Sequence, residues 1–107
     1  MKRTLVTVLA LAASCAAPPA ATASGDVLNG LSLAQLMCAR CHAVGLGHSG
    51  GYRGPRLPQT VNRKALDADA LRAWLNEAHP IMPNFSEDLS QQQIEDIAAY
   101  LETLRVR

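Results

Sequence analysis

The sequence contains few aromatic residues and few cysteines. It has one Trp, two Tyr, one Phe and three Cys among 107 residues. A chain of this length forms one domain at most, and a small domain with so few large apolar side chains buries little surface. We therefore expect a bound apolar group to complete the core, and we expect the chain to be poorly folded without that group.

Three other features are scarce, and each scarcity excludes a class of protein. The sequence has no basic patch, which argues against nucleic acid as a partner. It has no convincing strand pattern, which argues against an α/β fold. Its apolar run from Leu5 to Ala13 is far shorter than the roughly 20 residues that a membrane span requires.

Residues 1–23 have the pattern of a secretory signal peptide. Lys2 and Arg3 give a positive start, the apolar run follows, and an Ala-Thr-Ala sequence ending at Ala23 is a small-x-small cleavage site. Cleavage there would leave a mature domain of residues 24–107 with eight basic and nine acidic residues, a net charge of −1. We therefore expect a protein that is exported to the periplasm.

An alternative cleavage site precedes Cys15. The sequence LAASC, which ends at Cys15, resembles a lipoprotein cleavage box. In that case Cys15 would carry a lipid anchor and residues 16–24 would tether the domain to a membrane. Ala12 stands where such boxes usually carry a larger aliphatic residue, so soluble export is the preferred interpretation.

The main chemical motif is Cys38-Ala39-Arg40-Cys41-His42, a C-x-x-C-H sequence. This spacing is typical of covalent haem attachment: two thiols reach the vinyl groups at one edge of the ring, and the histidine supplies an axial nitrogen. A thioredoxin-like pair would follow a strand, a zinc site would need a second cysteine pair, and a plain disulfide would leave His42 without a role. We expect one covalently attached haem c, with its iron, as the cofactor.

Three helices and one long loop are predicted. The helices cover residues 27–40, 67–79 and 91–105, with Asp67 as an N-cap and Ser90 and Gln93 as a capping box. The last helix carries one apolar stripe: Ile94, Ile97, Ala98, Leu101 and Leu104. Five of the seven glycines fall between residues 45 and 54, and Pro55 and Pro58 follow, which predicts a loop. The fold class is therefore all-α.

Four segments, taken in order, resemble class I bacterial cytochromes c. They are the C-x-x-C-H motif, the sequence GPRL at residues 54–57, the sequence HPIMPNF at residues 79–85, and IAAYL in the last helix. The resemblance covers about residues 27–105. It implies the cytochrome c fold, with helices and loops around one haem, and it implies that Gly30 and Tyr100 lie where the first and last helices cross.

The same resemblance implies an axial pair of His42 and Met82. Met37 adjoins Cys38 and cannot easily reach the opposite face of the ring, whereas Met82 lies in a loop between two prolines. His79, three residues before Met82, is the competing ligand, although a helix-end role is the more ordinary interpretation. His48, in the glycine loop, is a second competitor.

The residues expected around the cofactor are Pro55 and a set of propionate donors. By resemblance, the Pro55 carbonyl accepts a hydrogen bond from the His42 ring and fixes its tautomer. The candidate donors to the haem propionates are Tyr52, Arg53, Arg56 and the indole of Trp74. Core packing for Trp74, and a solvated position for each arginine, are the alternatives.

The function implied is that of a periplasmic one-electron carrier between protein redox partners, not an enzyme. Two axial ligands leave the iron no open position for a substrate. One alternative is a haem subunit of a periplasmic dehydrogenase or oxidase. The other, which requires that Met82 does not bind iron, is a ligand-binding or peroxidatic haem protein.

Overall fold

Four α-helices form the fold within the part of the chain that the structure describes. The computed structural model describes residues 2, 4–14, 25–47, 50–77 and 79–106. The helices are α1 (Val27–Leu33), α2 (Leu57–Arg63), α3 (Ala68–Asn76) and α4 (Gln91–Glu102). The strand pairing in the described ranges is an isolated antiparallel bridge between Ala43 and Gly50. The predicted all-α fold class is confirmed.

The helices begin at the capping residues that the sequence indicated. Asp67 Oδ1 accepts a hydrogen bond from the Ala70 N–H at 2.8 Å. Ser90 Oγ accepts one from the Gln93 N–H at 3.1 Å, and Gln93 Oε1 accepts one from the Ser90 N–H at 2.9 Å. Both N-terminal predictions, the Asp67 cap and the capping box, are confirmed because these side chains satisfy N–H groups that have no partner inside the helix.

The first helix is not regular to its end. A π-helical turn, Ala34–Cys38, follows α1, and the Ala39 N–H donates to the Ala34 carbonyl at 3.0 Å. The helix predicted over residues 27–40 is therefore present from Val27 to Cys38, but it changes from α to π geometry at Ala34 and ends two residues early. The wider turn leads directly into the C-x-x-C-H motif, and π turns of this kind frequently occur at functional sites.

Helix α2 begins at the end of the predicted loop and continues over residues to which the sequence analysis assigned no element. Pro58 is in its first turn, where the missing N–H costs nothing because that donor has no helical partner. Val61 is only 1 % exposed, so α2 contributes to the core. Asn62 donates to the Leu104 carbonyl at 3.1 Å and accepts from the Val106 N–H at 2.7 Å, which ties α2 to the C-terminal segment.

Helices α1 and α4 cross at Gly30. A Cβ at this position would lie 1.9 Å from the Asp96 carbonyl oxygen and 2.9 Å from Tyr100 Cβ, so only glycine permits the contact. The Tyr100 hydroxyl donates to the Val44 carbonyl, beside the motif. The predicted crossing of the first and last helices is confirmed. Helix α4 ends at Glu102 and Leu104 lies in the turn after it, yet the predicted stripe of the last helix is buried in full: Ile94, Ile97, Ala98, Leu101 and Leu104.

The N-terminal segment does not join this core. Residues 4–14 form no helix or strand, and Leu5, Val6, Val8, Leu9 and Leu11 are 80–91 % exposed. Cys15 and the expected cleavage site at Ala23 lie outside the described residues. None of the helices in the described ranges is long and apolar enough to cross a membrane.

Candidate functional site

A mainly apolar cavity of about 660 Å³ is enclosed by the motif, by residues that follow it, and by the loop at residues 79–85, here called the Met82 loop. Its volume lies within the range of small-molecule and cofactor sites. Side chains from α3, α4 and the segments around them form most of its wall: Leu66, Leu71, Leu75, Phe85, Leu89, Ile97 and Leu101. The cavity therefore lies between the core and the predicted site residues.

Both cysteines of the motif line the cavity as free thiols. Cys38 is the last residue of the π turn, and Cys41 lies in the turn that follows. The Cys41 and His42 N–H groups both donate to the Cys38 carbonyl, at 3.2 and 2.9 Å, so one tight turn carries all three groups. Burial raises the pKa of the Cys38 thiol to about 11, so the free thiol is protonated at neutral pH.

The ring of His42 is fixed by Pro55. His42 Nδ1 lies 2.6 Å from the Pro55 carbonyl oxygen. A carbonyl can only accept, so Nδ1 carries the proton and Nε2 is left with its lone pair. An imidazole held in this tautomer suits coordination of a metal through Nε2.

The other support of the His42 ring is Gly54. A Cβ at residue 54 would lie 2.3 Å from His42 Cε1 and 2.6 Å from Nδ1, and the Gly54 N–H donates to the Cys41 carbonyl at 2.6 Å. The backbone at Gly54 therefore packs directly on the imidazole. In the sequence, the signal for this role is a glycine directly before Pro55, although no role was predicted for Gly54.

Met82 also lines the cavity. Its side chain is partly buried and packs against the hydrophobic core, in a loop without regular secondary structure. The structure thus brings His42 and Met82 to one cavity, together with Met37.

His79 is tied to the end of α3. Its Nε2 lies 2.8 Å from the Trp74 carbonyl oxygen, and its ring stacks on the Trp74 indole with the ring centroids 4.2 Å apart. This contact is the helix-end role that the sequence analysis preferred for His79. Both residues line the cavity, whereas His48 lies outside the described residues.

The structure separates the four candidate propionate donors. Arg53 and Trp74 line the cavity, but Tyr52 and Arg56 do not. Tyr52 is 83 % exposed, and the Arg56 guanidinium points to the carbonyls of Leu46 and Gly47, at 3.4 Å each.

Two cationic side chains that the sequence analysis did not single out also line the cavity, Arg40 and Lys64. Among the described residues of the wall there is no aspartate or glutamate. Lys64 follows α2, and because the sequence predicted no helix there, nothing indicated that this side chain reaches the cavity. The cavity wall is therefore mainly apolar, and the charged lysine and arginine side chains on it are all positive.

The donor set fits a c-type haem better than a bare metal ion. Two thiols beside one oriented imidazole, with a thioether on the same apolar cavity, match thioether attachment and axial ligation of haem iron. A structural zinc site would need four close ligands. The part of the chain that the structure describes contains no group of three or more His, Cys, Asp or Glu residues that could hold a metal ion.

Comparison with known proteins gives one family. Residues 25–101 match the family model described as cytochrome c oxidase, cbb3-type, subunit III. Cytochrome c6 of a Nostoc species is 32 % identical over 84 residues, which cover 73 % of this chain and 70 % of that protein. Cytochrome c6 of a Synechococcus species is 31 % identical over 109 aligned positions, covering 92 % of this chain and 90 % of the relative. Cytochrome c6 of Thermosynechococcus vestitus is 30 % identical, with 94 % and 91 % covered. No solved structure gives a significant match.

Proposed function

The chain belongs to the c-type cytochromes, and on that premise we propose that it carries single electrons between redox proteins in the periplasm. It has one covalently attached haem c, in agreement with its single C-x-x-C-H motif. The observation that carries the proposal is the convergence of Cys38, Cys41, His42 and Met82 on one apolar cavity.

Each of these residues has a distinct task in the proposal. Cys38 and Cys41 would hold the cofactor through thioether bonds, and His42 and Met82 would ligate its iron. Pro55 and Gly54 orient the imidazole, one through its carbonyl and the other through close packing. When bound, the haem supplies the redox chemistry, an iron that cycles between the ferrous and ferric states.

The remaining residues of the cavity set the environment of that iron. The apolar wall excludes water, and a thioether ligand favours the reduced state, so both raise the reduction potential. The proposed donors to the cofactor carboxylates line the cavity: Arg40, Arg53, Lys64 and Trp74. With His42 and Met82 both bound there is no open iron position, so the protein would act as a carrier and not as an enzyme.

Export is part of the proposal. The apolar residues of the segment 4–14 stay exposed and outside the core, as expected for a segment that is removed before the domain functions. Cleavage after Ala23 would release the domain into the periplasm, whereas cleavage before Cys15 would leave it lipid-anchored. The intact mass of the exported protein distinguishes the two and reports haem addition in the same measurement.

The decisive test of the site uses the two methionines that follow residue 23. The unaltered ferric protein, made in a host that matures c-type haem, should show the red-edge sulfur-to-iron charge-transfer band and a reversible one-electron titration. Met82→Ala should lose the band and keep the haem, and Met37→Leu, the matched control, should keep both. A band that disappears in Met37→Leu and survives in Met82→Ala would contradict the proposal.

A second role, as the haem subunit of a larger oxidase, is favoured by the description of the matching family model. The chemistry would be the same, but the chain would remain bound to its partner. Copurification of the tagged protein with a larger haem enzyme would support this role, and recovery of the chain alone would support a free carrier.

A further inference from the structure

The Met82 loop has little backbone support. Pro80 and Pro83 have no N–H to donate. Among the described residues, the backbone of residues 80–83 makes no hydrogen bond. Ile81 is 82 % exposed, so its side chain does not attach the loop to the core. The position of Met82 therefore depends on the packing of its own side chain on the core and on the contacts at the two ends of the loop.

The C-terminal end of the loop is held by a turn. Asn84 Oδ1 accepts a hydrogen bond from the Ser86 N–H at 2.9 Å. The Phe85 carbonyl accepts from the N–H groups of Asp88 and Leu89, at 3.1 and 3.2 Å, and the Phe85 ring packs against the core. This end of the loop is fixed by hydrogen bonds and packing that do not involve Met82.

At the N-terminal end, the side chain among the described residues that holds the loop is that of His79. Its Nε2–H donates to the Trp74 carbonyl at 2.8 Å, since a carbonyl can only accept. The same ring stacks on the Trp74 indole at a centroid distance of 4.2 Å and an interplanar angle of 27°. Trp74 lies in the last turn of α3, so this side chain joins the loop to a packed helix through two independent contacts.

We propose that His79 is a positioning residue that keeps Met82 on the iron by fixing the start of the Met82 loop to α3. Only two residues separate His79 from Met82, and Pro80 stiffens that short connection. Release of His79 would leave the loop held by the packing of Met82 and Phe85 on the core and by the turn at Asn84, and would let the thioether leave the iron more often. This inference rests on the proposed function, because it requires Met82 to be the second ligand.

The opening of the loop can be measured with free imidazole as the probe. Imidazole binds ferric haem iron only when Met82 has left, so its apparent affinity is proportional to the fraction of molecules with an open loop. Loss of one hydrogen bond and one ring stack corresponds to a change of about 5- to 150-fold in that fraction. His79→Ala should therefore bind imidazole about 5- to 150-fold more tightly than the unaltered protein.

Two conservative variants separate the contacts, and a third is the control. His79→Phe keeps the ring and loses the donor, and His79→Gln keeps a donor and loses the ring, so each should lie between His79→Ala and the unaltered protein. Gln93→Ala breaks the capping box of α4, away from the loop. It should lower the melting temperature without changing the affinity for imidazole.

The outcomes distinguish this inference from the proposed function. Equal imidazole affinity in all three His79 variants and the unaltered protein would overturn the positioning role while Met82 ligation stands. If His79→Ala does not accumulate, the Phe and Gln variants decide the matter in the same way. A ferric protein without the sulfur-to-iron band would remove Met82 ligation itself, and the role of His79 with it.

Discussion

The orientation of the His42 ring depends on residue 54 being a glycine, which has no side chain. Gly54 lies so close to the imidazole that one added carbon would come within 2.3 Å of Cε1. The ring would have to tilt, and its hydrogen bond to the Pro55 carbonyl would weaken. Gly54 thus supports the His42 ring by leaving room for close packing of the backbone on the imidazole.

Gly54→Ala should lower the stability of the haem protein by about 1–3 kcal/mol, the usual cost of overpacking. That cost corresponds to a fall of roughly 4–24 °C in melting temperature for a domain of this size. Gly47→Ala is the matched control, since a Cβ there would meet nothing within 4 Å. Equal melting temperatures and equal reduction potentials for the two variants would contradict the packing role of Gly54.

The sequence indicated site residues most directly where the chemistry requires fixed neighbours. Cys38, Cys41 and His42 had to lie together because the attachment reaction uses all three, and they line one cavity. Tyr52 and Arg56 were harder, because a polar side chain in a loop can turn either way. The structure turns Arg56 to the Leu46 and Gly47 carbonyls, which no motif could indicate.

At the scale of elements, a buried carboxylate joins α4 to the start of α1. Asp96 is 4 % exposed and accepts hydrogen bonds from Asn29 Nδ2 at 2.6 Å, the Asp26 N–H at 2.7 Å and Gln92 Nε2 at 2.9 Å. The bond from Asn29, followed by those from Asp26 and Gln92, lowers the pKa of Asp96 and outweighs the opposing effect of burial. Asp96 therefore caps a helix other than its own.

The lowered pKa gives a pH dependence with a definite sign. The carboxylate contributes stability above its unfolded-state pKa of about 3.9, and that contribution is lost as the pH falls through the lower folded-state value. Asp96→Asn should cost about 1–3 kcal/mol at neutral pH and should flatten the stability curve below about pH 4. Denaturant unfolding across this pH range is the measurement.

Glu95→Gln is the control for Asp96. The Glu95 carboxylate accepts from Gln91 on the exposed side of the same helix, so its loss should change stability by less than about 0.5 kcal/mol. An Asp96→Asn protein as stable as Glu95→Gln at neutral pH would argue against the capping role.

The N-terminal ends of α3 and α4 were predictable from sequence, but their C-terminal ends, predicted at 79 and 105 and found at Asn76 and Glu102, were not, and neither was one whole helix. Asp67, Ser90 and Gln93 act locally, so their capping roles could be identified from neighbouring residues. Helix α2 has no side-chain cap, and its stability comes from the burial of Val61 and from Asn62, which bonds to residues more than 40 positions away. Such tertiary support overrides a local pattern of glycine and proline.

At the scale of the whole molecule, the haem replaces a large part of the core. A cavity of about 660 Å³ with an apolar wall would otherwise face water. We expect a Cys38→Ser/Cys41→Ser protein, which cannot attach haem, to lose most of its helical circular dichroism and its cooperative melting transition. Cys15→Ser is the control that should keep haem content and stability. A cooperative transition at an unchanged temperature in the double variant would show that the chain folds without the cofactor.

The charges at the cavity give a second prediction at this scale. Arg40, Arg53 and Lys64 line it, and no acidic residue does so within the described ranges. Arg40→Gln should slow oxidation of the reduced protein by the anion ferricyanide at least about twofold at low ionic strength, with the difference vanishing at high salt. Arg105→Gln, which removes a charge that does not line the cavity, is the control, and an equal effect of both variants would rule out a local origin.

The contact at Gly30 has a consequence for the order of events during synthesis. It joins helices at opposite ends of the domain, so it cannot form until nearly the whole polypeptide has emerged. Until then the segment that carries Cys38 and Cys41 lacks the part of the core that α4 supplies, and both sulfur atoms remain more open to haem attachment. The contact between α1 and α4 would therefore form late, so the attachment segment would first stay reactive and would be buried afterwards.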